Sequence, residues 1–272
     1  TAAPLGEGAA FARALRPQRE KPGERWSGMR RGKLIGLGVG PGDPELLTVK
    51  AVRILETTQV VAFVATAGRT SRARETVAAH LKPGTRELVA VLPTPSDPAA
   101  TARAYAQLAT GIVGELGQGQ DVVFLCEGDP LFNPSFAQLL ERLAQRFECV
   151  AVPGIPPFSA AAAGALWPLV LRDQTLAIVS GTLPPRRLAE ILRTVDRVVV
   201  LRIGRNLPKI REALAAARMA REALLVDSPG QPGRRLEEAG EEPVGPLAIV
   251  LAARESPAPS ERPARATPSV VR

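Results

Sequence analysis

Two carboxylates stand close together directly after the segment Asp121–Cys126, which we predict to be a strand. Glu127 and Asp129 are separated only by Gly128, so a tight turn would place both acids at the carboxyl end of that strand. Open α/β sheets bind ligands at this edge. A carboxylate there can accept hydrogen bonds from the hydroxyl or ammonium groups of a ligand. The structural alternative is that Asp129 only caps the helix that follows.

Three basic residues surround the end of a later predicted strand. Arg202 and Arg205 follow Leu201, and Lys209 lies four residues further on. Basic side chains in this position can pair with the carboxylates of an acidic ligand. A solvated basic surface is the alternative interpretation.

A glycine-rich segment, residues 36–44, joins the first predicted strand to a predicted helix that runs to Leu55. Asp43 suits the N-cap of that helix and Pro44 its first position. The segment does not fit the dinucleotide-binding pattern GxGxxG. If the pattern begins at Gly36, Pro41 occupies the position of the third glycine, and if it begins at Gly38, Asp43 does. Pro41 also has no N–H to offer a phosphate. We therefore expect the glycines either to let the backbone approach a flat, uncharged ligand or to form a tight turn.

Few residues in the chain are typical of metal or nucleophilic chemistry. His80 is the only histidine, and Cys126 and Cys149 are the only cysteines. A metal site with several imidazoles is therefore excluded, and the cysteine spacing does not favour a thiolate site or a disulfide framework. We expect both cysteines to be small buried apolar residues, and no bound metal.

The positive charge of the chain lies mainly in its two ends. The net charge is +8, and residues 1–33 hold eight Lys or Arg against three Glu, while residues 254–272 hold four Arg against two Glu. The nearly neutral body does not favour nucleic acid as a partner, because such binding depends on neutralising phosphates. We find neither an apolar run of about 20 residues that could span a bilayer nor the apolar core of a signal peptide. The expectation is a cytoplasmic protein without membrane contact.

Strands and helices alternate between the two ends, which predicts an α/β fold with βαβ units in both halves. The segment Pro153–Pro157 interrupts the alternation, and we place a domain boundary there. The predicted organisation is a basic, disordered extension (1–31), an N-terminal α/β domain (32–152), a C-terminal α/β domain (153–253) and a disordered Pro/Arg tail (254–272).

Taken in order, these segments carry a more specific signal. Residues 34–51, LIGLGVGPGDPELLTVKA, resemble the N-terminal signature of the tetrapyrrole (corrin/porphyrin) methylases. Glu127–Pro130 resembles the second motif of that family, and Val152–Ile155 its interdomain segment. Ser180–Pro184 and Gly204–Lys209 are similar to the branch that methylates precorrin-2 at C(20). The resemblance covers about residues 33–252.

The resemblance implies two α/β domains with a cofactor cleft between them. It also implies a homodimeric enzyme of cobalamin biosynthesis that transfers a methyl group from S-adenosylmethionine to a tetrapyrrole. By position in the family motifs, the implied cofactor contacts are Pro41, Glu127, Gly128, Asp129, Phe132, Pro156, Pro157 and Ile203. The implied partners of the acidic substrate are Arg202, Arg205 and Lys209. No residue is identified as a general base.

Three segments depart from the family pattern: Thr94-Pro95, Asn133-Pro134 and Asp227–Gly230. These departures motivate a second hypothesis, a non-catalytic or regulatory relative that binds the tetrapyrrole or S-adenosylmethionine. A third hypothesis is a nucleic-acid-binding protein that acts through its basic ends. Removing residues 1–31 and 254–272 would abolish the function of such a protein, whereas an enzyme body would keep its activity.

Overall fold

The computed structural model describes residues 31–94, 97–132, 134–240 and 244–255, so the disorder expected for both ends falls largely outside the described residues. The chain divides into two compact units, the first ending at Pro156 and the second beginning at Pro157. Each unit contains one five-stranded sheet. The division therefore falls within the segment Pro153–Pro157 that interrupts the sequence pattern.

The first unit is built on a wholly parallel sheet with the strand order β3-β2-β4-β1-β5. Its strands are β1 (Leu34–Gly38), β2 (Val60–Thr66), β3 (Arg86–Leu92), β4 (Val122–Cys126) and β5 (Cys149–Val152). Its helices are α1 (Val49–Leu55), α2 (Arg72–Thr76), α3 (Pro98–Gly117) and α4 (Pro134–Leu143). Every residue of β4 is buried, as expected for a central parallel strand covered on both faces.

Apolar side chains cover both faces of this sheet. On one face, Leu34, Phe124 and Phe136 pack with residues of α3 and α4. On the other, Leu37 and Phe63 pack with residues of α1 and α2. With both faces covered, the loops at the strand ends are the places where polar side chains can meet a ligand.

The first predicted helix is in fact two elements. Asp43 accepts a hydrogen bond from the backbone N–H of Glu45 at 2.9 Å and caps a short 3₁₀ helix, Pro44–Leu46. Thr48 then accepts one from Ala51 N at 3.1 Å and begins α1. The predicted cap at Asp43 is confirmed. The predicted continuous helix is wrong, because Leu47 and Thr48 between the two elements are both extended and the Thr48 hydroxyl starts a new helix.

The second unit is built on a mixed sheet with the strand order β6-β7-β10-β8-β9. Its strands are β6 (Leu176–Ser180), β7 (Arg197–Leu201), β8 (Leu224–Val226), β9 (Arg234–Arg235) and β10 (Ile249–Ala253). Its helices are α5 (Pro157–Gly164), α6 (Pro185–Leu192) and α7 (Leu207–Ala216). The predicted parallel βαβ unit is present as β6–α6–β7. However, β10 runs antiparallel to both β7 and β8, which the alternation of elements did not indicate.

Within the described residues, none of the helices combines the length and the apolar character that crossing a bilayer requires. The helices pack against the sheet of their own unit, and each unit contains two clusters of buried apolar side chains.

Candidate functional site

The loops that follow β1 and β4 are joined at the carboxyl edge of the first sheet. Val39 N donates to Cys126 O at 2.9 Å, and Gly128 N donates to Gly40 O at 2.7 Å. Gly40 and Gly128 form an antiparallel bridge beyond the parallel strands. This pairing places Pro41 beside the segment Glu127–Asp129, so residues far apart in the sequence come together at one edge.

Three glycines bring the loops after β1, β4 and β5 into backbone contact. A Cβ atom on Gly154 would lie 2.3 Å from Gly128 O, and one on Gly38 would lie 2.4 Å from Gly154 N. Further back in β1, a Cβ atom on Gly36 would lie 2.4 Å from the Phe136 ring. At these positions protein atoms occupy the space that a side chain would fill, and the expected approach of a ligand to the glycine backbone of residues 36–44 stays a prediction. The glycines are required by the packing of the edge itself.

Asp129 fastens two of these loops together. Its Oδ1 atom accepts a hydrogen bond from Leu131 N at 2.9 Å, and its Oδ2 atom accepts one from Gly154 N at 3.2 Å. The predicted capping role is confirmed, here on the 3₁₀ helix Pro130–Phe132. A carboxylate has about four lone-pair sites, and the hydrogen bonds among the described residues use two of them. The predicted cofactor contact of Asp129 stays a prediction.

Glu127 lies next to an arginine that the sequence analysis did not single out. Arg72, the first residue of α2, places Nη1 3.8 Å from Glu127 Oε1 and donates from Nη2 to Pro41 O at 3.1 Å. Burial raises the pKa of the Glu127 carboxyl above its ordinary value, and the Arg72 guanidinium partly opposes that rise. No motif marks Arg72. The available signal was topological, because β2 is a neighbour of β4 and the loop after β2 opens at the same edge.

The raised pKa of Glu127 predicts a pH-dependent stability. A carboxyl with a higher pKa in the folded than in the unfolded chain binds more protons when folded, so stability falls as pH rises from the unfolded to the folded pKa. The glutamine side chain in the variant Glu127→Gln cannot titrate. We therefore expect the melting temperature of the variant, relative to that of the wild type, to increase as the pH is raised from about 4 to about 7. Calorimetric melting of both proteins over that interval checks this. A constant difference in melting temperature would contradict it.

Apolar groups lie beside these carboxylates. Phe132, at the end of the 3₁₀ helix, is 48% exposed, and its neighbour Leu131 is 67% exposed. Pro41 is buried, whereas Pro156 is half-buried at the end of the first unit. Carboxylate oxygens next to exposed apolar surface suit a ligand with hydroxyl or cationic groups and a flat apolar part. These residues fit S-adenosylmethionine, which carries such groups and no phosphate.

The basic residues predicted to bind substrate lie at the carboxyl end of β7 and on α7. Arg202 and Arg205 are exposed, and Arg202 adopts a left-handed backbone conformation with φ 55°. Lys209 differs, because its Nζ atom donates to Leu183 O at 2.7 Å and holds the loop after β6. The substrate role of all three stays a prediction, and the Lys209 ammonium group is already engaged by a backbone carbonyl.

The two remaining predicted cofactor residues belong to the second unit. Ile203 is fully buried in the core of that unit, and its carbonyl accepts hydrogen bonds from N and Nδ2 of Asn206 at 2.8 and 3.1 Å, so its cofactor contact stays a prediction. Pro157 is half-buried and begins α5.

The segments that depart from the family pattern are only partly described. Pro95 and Asn133 lie outside the described residues. Asp227 pairs with Arg234 of β9 through two hydrogen bonds, Nε to Oδ2 at 2.9 Å and Nη2 to Oδ1 at 3.2 Å. The Asp227–Gly230 segment begins the loop that connects β8 to β9, and this ion pair joins the two ends of that loop.

Comparisons with known proteins agree with the predicted family. The family model Tetrapyrrole (Corrin/Porphyrin) Methylases matches residues 33–242. The precorrin-2 C(20)-methyltransferase of Sinorhizobium sp is 40% identical over 209 residues, which are 74% of this chain and 85% of that protein. The cobalamin biosynthesis protein CobIJ of Mycobacterium tuberculosis (strain ATCC 25618 / H37Rv) is 40% identical over 214 residues, 76% of this chain. The chain spans only 42% of the length of CobIJ.

A solved structure has the same fold. The uroporphyrin-III C-methyl transferase from Thermus thermophilus, complexed with S-adenyl homocysteine, aligns with a TM-score of 0.60 and 29% sequence identity. The alignment covers 82% of this chain and 97% of that one. The predicted α/β fold and the predicted family are both confirmed. This chain belongs to the tetrapyrrole (corrin/porphyrin) methylases.

Proposed function

We propose that the chain is an S-adenosylmethionine-dependent C-methyltransferase that methylates precorrin-2 at C(20) in cobalamin biosynthesis. The observation that carries this proposal is the 40% identity to the Sinorhizobium precorrin-2 C(20)-methyltransferase over 85% of that protein's length. The carboxylates and exposed aromatic residue at the edge of the first sheet support it, because they suit the cofactor chemically.

The residues of this edge would act by binding and positioning. When bound, S-adenosylmethionine supplies an activated methyl group on a sulfonium, so the protein needs to orient the reactants and exclude water. Glu127 and Asp129 would accept hydrogen bonds from the hydroxyl or ammonium groups of the cofactor. Phe132 and Pro156 would cover its apolar part. Arg202 and Arg205 would pair with carboxylates of the tetrapyrrole.

A turnover assay tests this proposal. The chain is incubated with methyl-labelled S-adenosylmethionine and either metal-free or cobalt-bound precorrin-2, and the products are analysed by mass spectrometry. We expect one labelled methyl group in one of the two substrates. Cofactor binding without any transfer would instead favour the non-catalytic relative, and the absence of cofactor binding would overturn the proposal.

Arg202 allows substrate binding to be separated from backbone strain. A left-handed conformation costs an L-residue about 1–2 kcal/mol, and glycine avoids that cost. We therefore expect Arg202→Gly to melt no lower than the wild type, while its KM for the tetrapyrrole rises about tenfold through the loss of a charge-assisted hydrogen bond. Arg202→Gln, which keeps the strained backbone, should show the same rise. If neither variant changes the KM, Arg202 is not a substrate partner.

We propose further that the enzyme is a cytoplasmic homodimer, as the family resemblance implies. Sedimentation equilibrium tests the oligomeric state directly. A mass equal to that of one chain over the micromolar range would contradict the dimer.

A further inference from the structure

We propose that Arg72 is a positioning residue of the cofactor site, because its guanidinium holds the Pro41 carbonyl and the Glu127 carboxylate in fixed places. The proposal rests on the proposed function, since both residues are predicted to contact S-adenosylmethionine. Arg72 itself would act through these two loops rather than on the reacting atoms.

The position of Arg72 in the sheet explains how one side chain can reach both loops. α2 follows β2, and β2 lies next to β4 in the strand order, with β1 on the far side of β4. The Arg72 side chain therefore crosses the end of β4 to reach the loop after β1. It donates to Pro41 O at 3.1 Å and lies 3.8 Å from Glu127 Oε1. Three consecutive segments of the edge are linked through one guanidinium.

The loop after β1 is shaped around this guanidinium. Gly42 has φ 117°, a conformation that side chains rarely adopt, and a Cβ atom there would lie 2.4 Å from Arg72 Nη2. Gly42 thus removes the atom that would displace the guanidinium. The same Nη2 atom donates to Pro41 O, so the glycine leaves free the space that this hydrogen bond requires.

The charge and shape of arginine suit this position better than those of lysine. A planar guanidinium presents donors in several directions and can serve a carbonyl and a carboxylate on different loops at once. The Arg72 and Glu127 side chains are only 35% and 29% exposed. Because Glu127 is largely removed from water, the neighbouring positive charge favours its ionised, hydrogen-bond-accepting form.

The test measures cofactor affinity in Arg72→Gln, Arg72→Lys and a matched control. Arg74 is on the same helix and its Nε atom pairs with Glu87 at 2.6 Å, so Arg74→Gln removes a comparable ion pair that does not touch the two loops. The Kd for S-adenosylhomocysteine is measured by titration calorimetry from about pH 5 to pH 8, with a thermal melt of each variant.

We expect Arg72→Gln to raise the Kd about tenfold at neutral pH, as the loss of a charge-assisted hydrogen bond would, while Arg74→Gln leaves it unchanged. Arg72→Lys should recover part of the affinity. In Arg72→Gln the pH above which the ligand binds well should shift upward, because Glu127 loses the charge that favours its ionisation. A purely structural role would not produce that shift.

The outcomes separate this proposal from the proposed function. If the wild type binds the ligand and Arg72→Gln binds it equally well, or if both Gln variants lose the same affinity, the role of Arg72 is refuted and the function stands. If the wild type binds no ligand at any pH, the proposed function fails and the role of Arg72 fails with it. If Arg72→Gln does not fold, the Kd values of Arg72→Lys and Arg74→Lys are compared instead. Equal values would refute the role of Arg72.

Discussion

Gly154→Ala should lower the free energy of unfolding by about 3 kcal/mol, at the upper end of what overpacking usually costs. The new methyl group would lie 2.3 Å from Gly128 O and 2.7 Å from Gly38 Cα, and both neighbours are backbone that cannot rotate away. The loops after β1, β4 and β5 would have to separate. The hydrogen bond from Gly154 N to Asp129 would be disturbed as well. Urea unfolding followed by circular dichroism measures the change.

A glycine in open surroundings provides the control for this variant. Gly114 lies within α3, is exposed, and has no atom within 4 Å of where a Cβ would stand. Gly114→Ala should stabilise the chain by about 0.5–1 kcal/mol, because alanine favours the helix. If Gly154→Ala lowers the free energy of unfolding no more than Gly114→Ala does, the three glycines are not packed as closely as described.

Phe136→Ala should cost about 3 to 5 kcal/mol, the range for removing a large aromatic side chain from a core. Phe136 is fully buried, and its ring centroid lies 6.2 Å from that of Phe124 at an interplanar angle of 20°. The substitution leaves a cavity between α4 and the first sheet, which the surrounding structure can fill only in part. Urea unfolding again gives the change, and a loss below about 1 kcal/mol would contradict the packing described.

The contact between Phe136 and Gly36 can be tested by a double-mutant cycle. The atoms nearest to a Cβ on Gly36 are Cζ, Cε1 and Cε2 of the Phe136 ring, at 2.4–2.6 Å. Leucine lacks these atoms. Gly36→Ala should therefore destabilise the wild type strongly and the Phe136→Leu background much less, giving a large coupling energy. If the double variant loses as much free energy of unfolding as the two single variants together, Gly36 is required for a reason other than its contact with Phe136.

The sequence was most informative where a local rule decides the structure. The segment Asp121–Cys126 predicts a strand, and β4 (Val122–Cys126) is found there as a buried central strand. Asp43 and Asp129 have the residue type and position of helix caps, and both side chains accept the expected backbone hydrogen bonds. The position of Glu127 after a strand was likewise sufficient to place it at the carboxyl edge of the sheet, where open α/β sheets bind their ligands.

The rest depends on long-range contacts that leave no local pattern. The antiparallel direction of β10 is set by its two neighbours and not by its own apolar residues. β9 has only two residues, both arginine, and resembles no strand in isolation. Arg72 could not be recognised because its partners, Pro41 and Glu127, lie 31 and 55 positions away and approach it only through the strand order.

The strand order also has a consequence for how the chain acquires its fold during synthesis. β1 is made first, yet it lies between β4 and β5, which are translated roughly a hundred residues later. At about 5–20 residues per second, the ribosome would leave β1 without its neighbours for on the order of ten seconds. During that interval an apolar strand with unsatisfied backbone groups is open to wrong pairing, so chaperone demand should concentrate on nascent chains halted between β1 and β5.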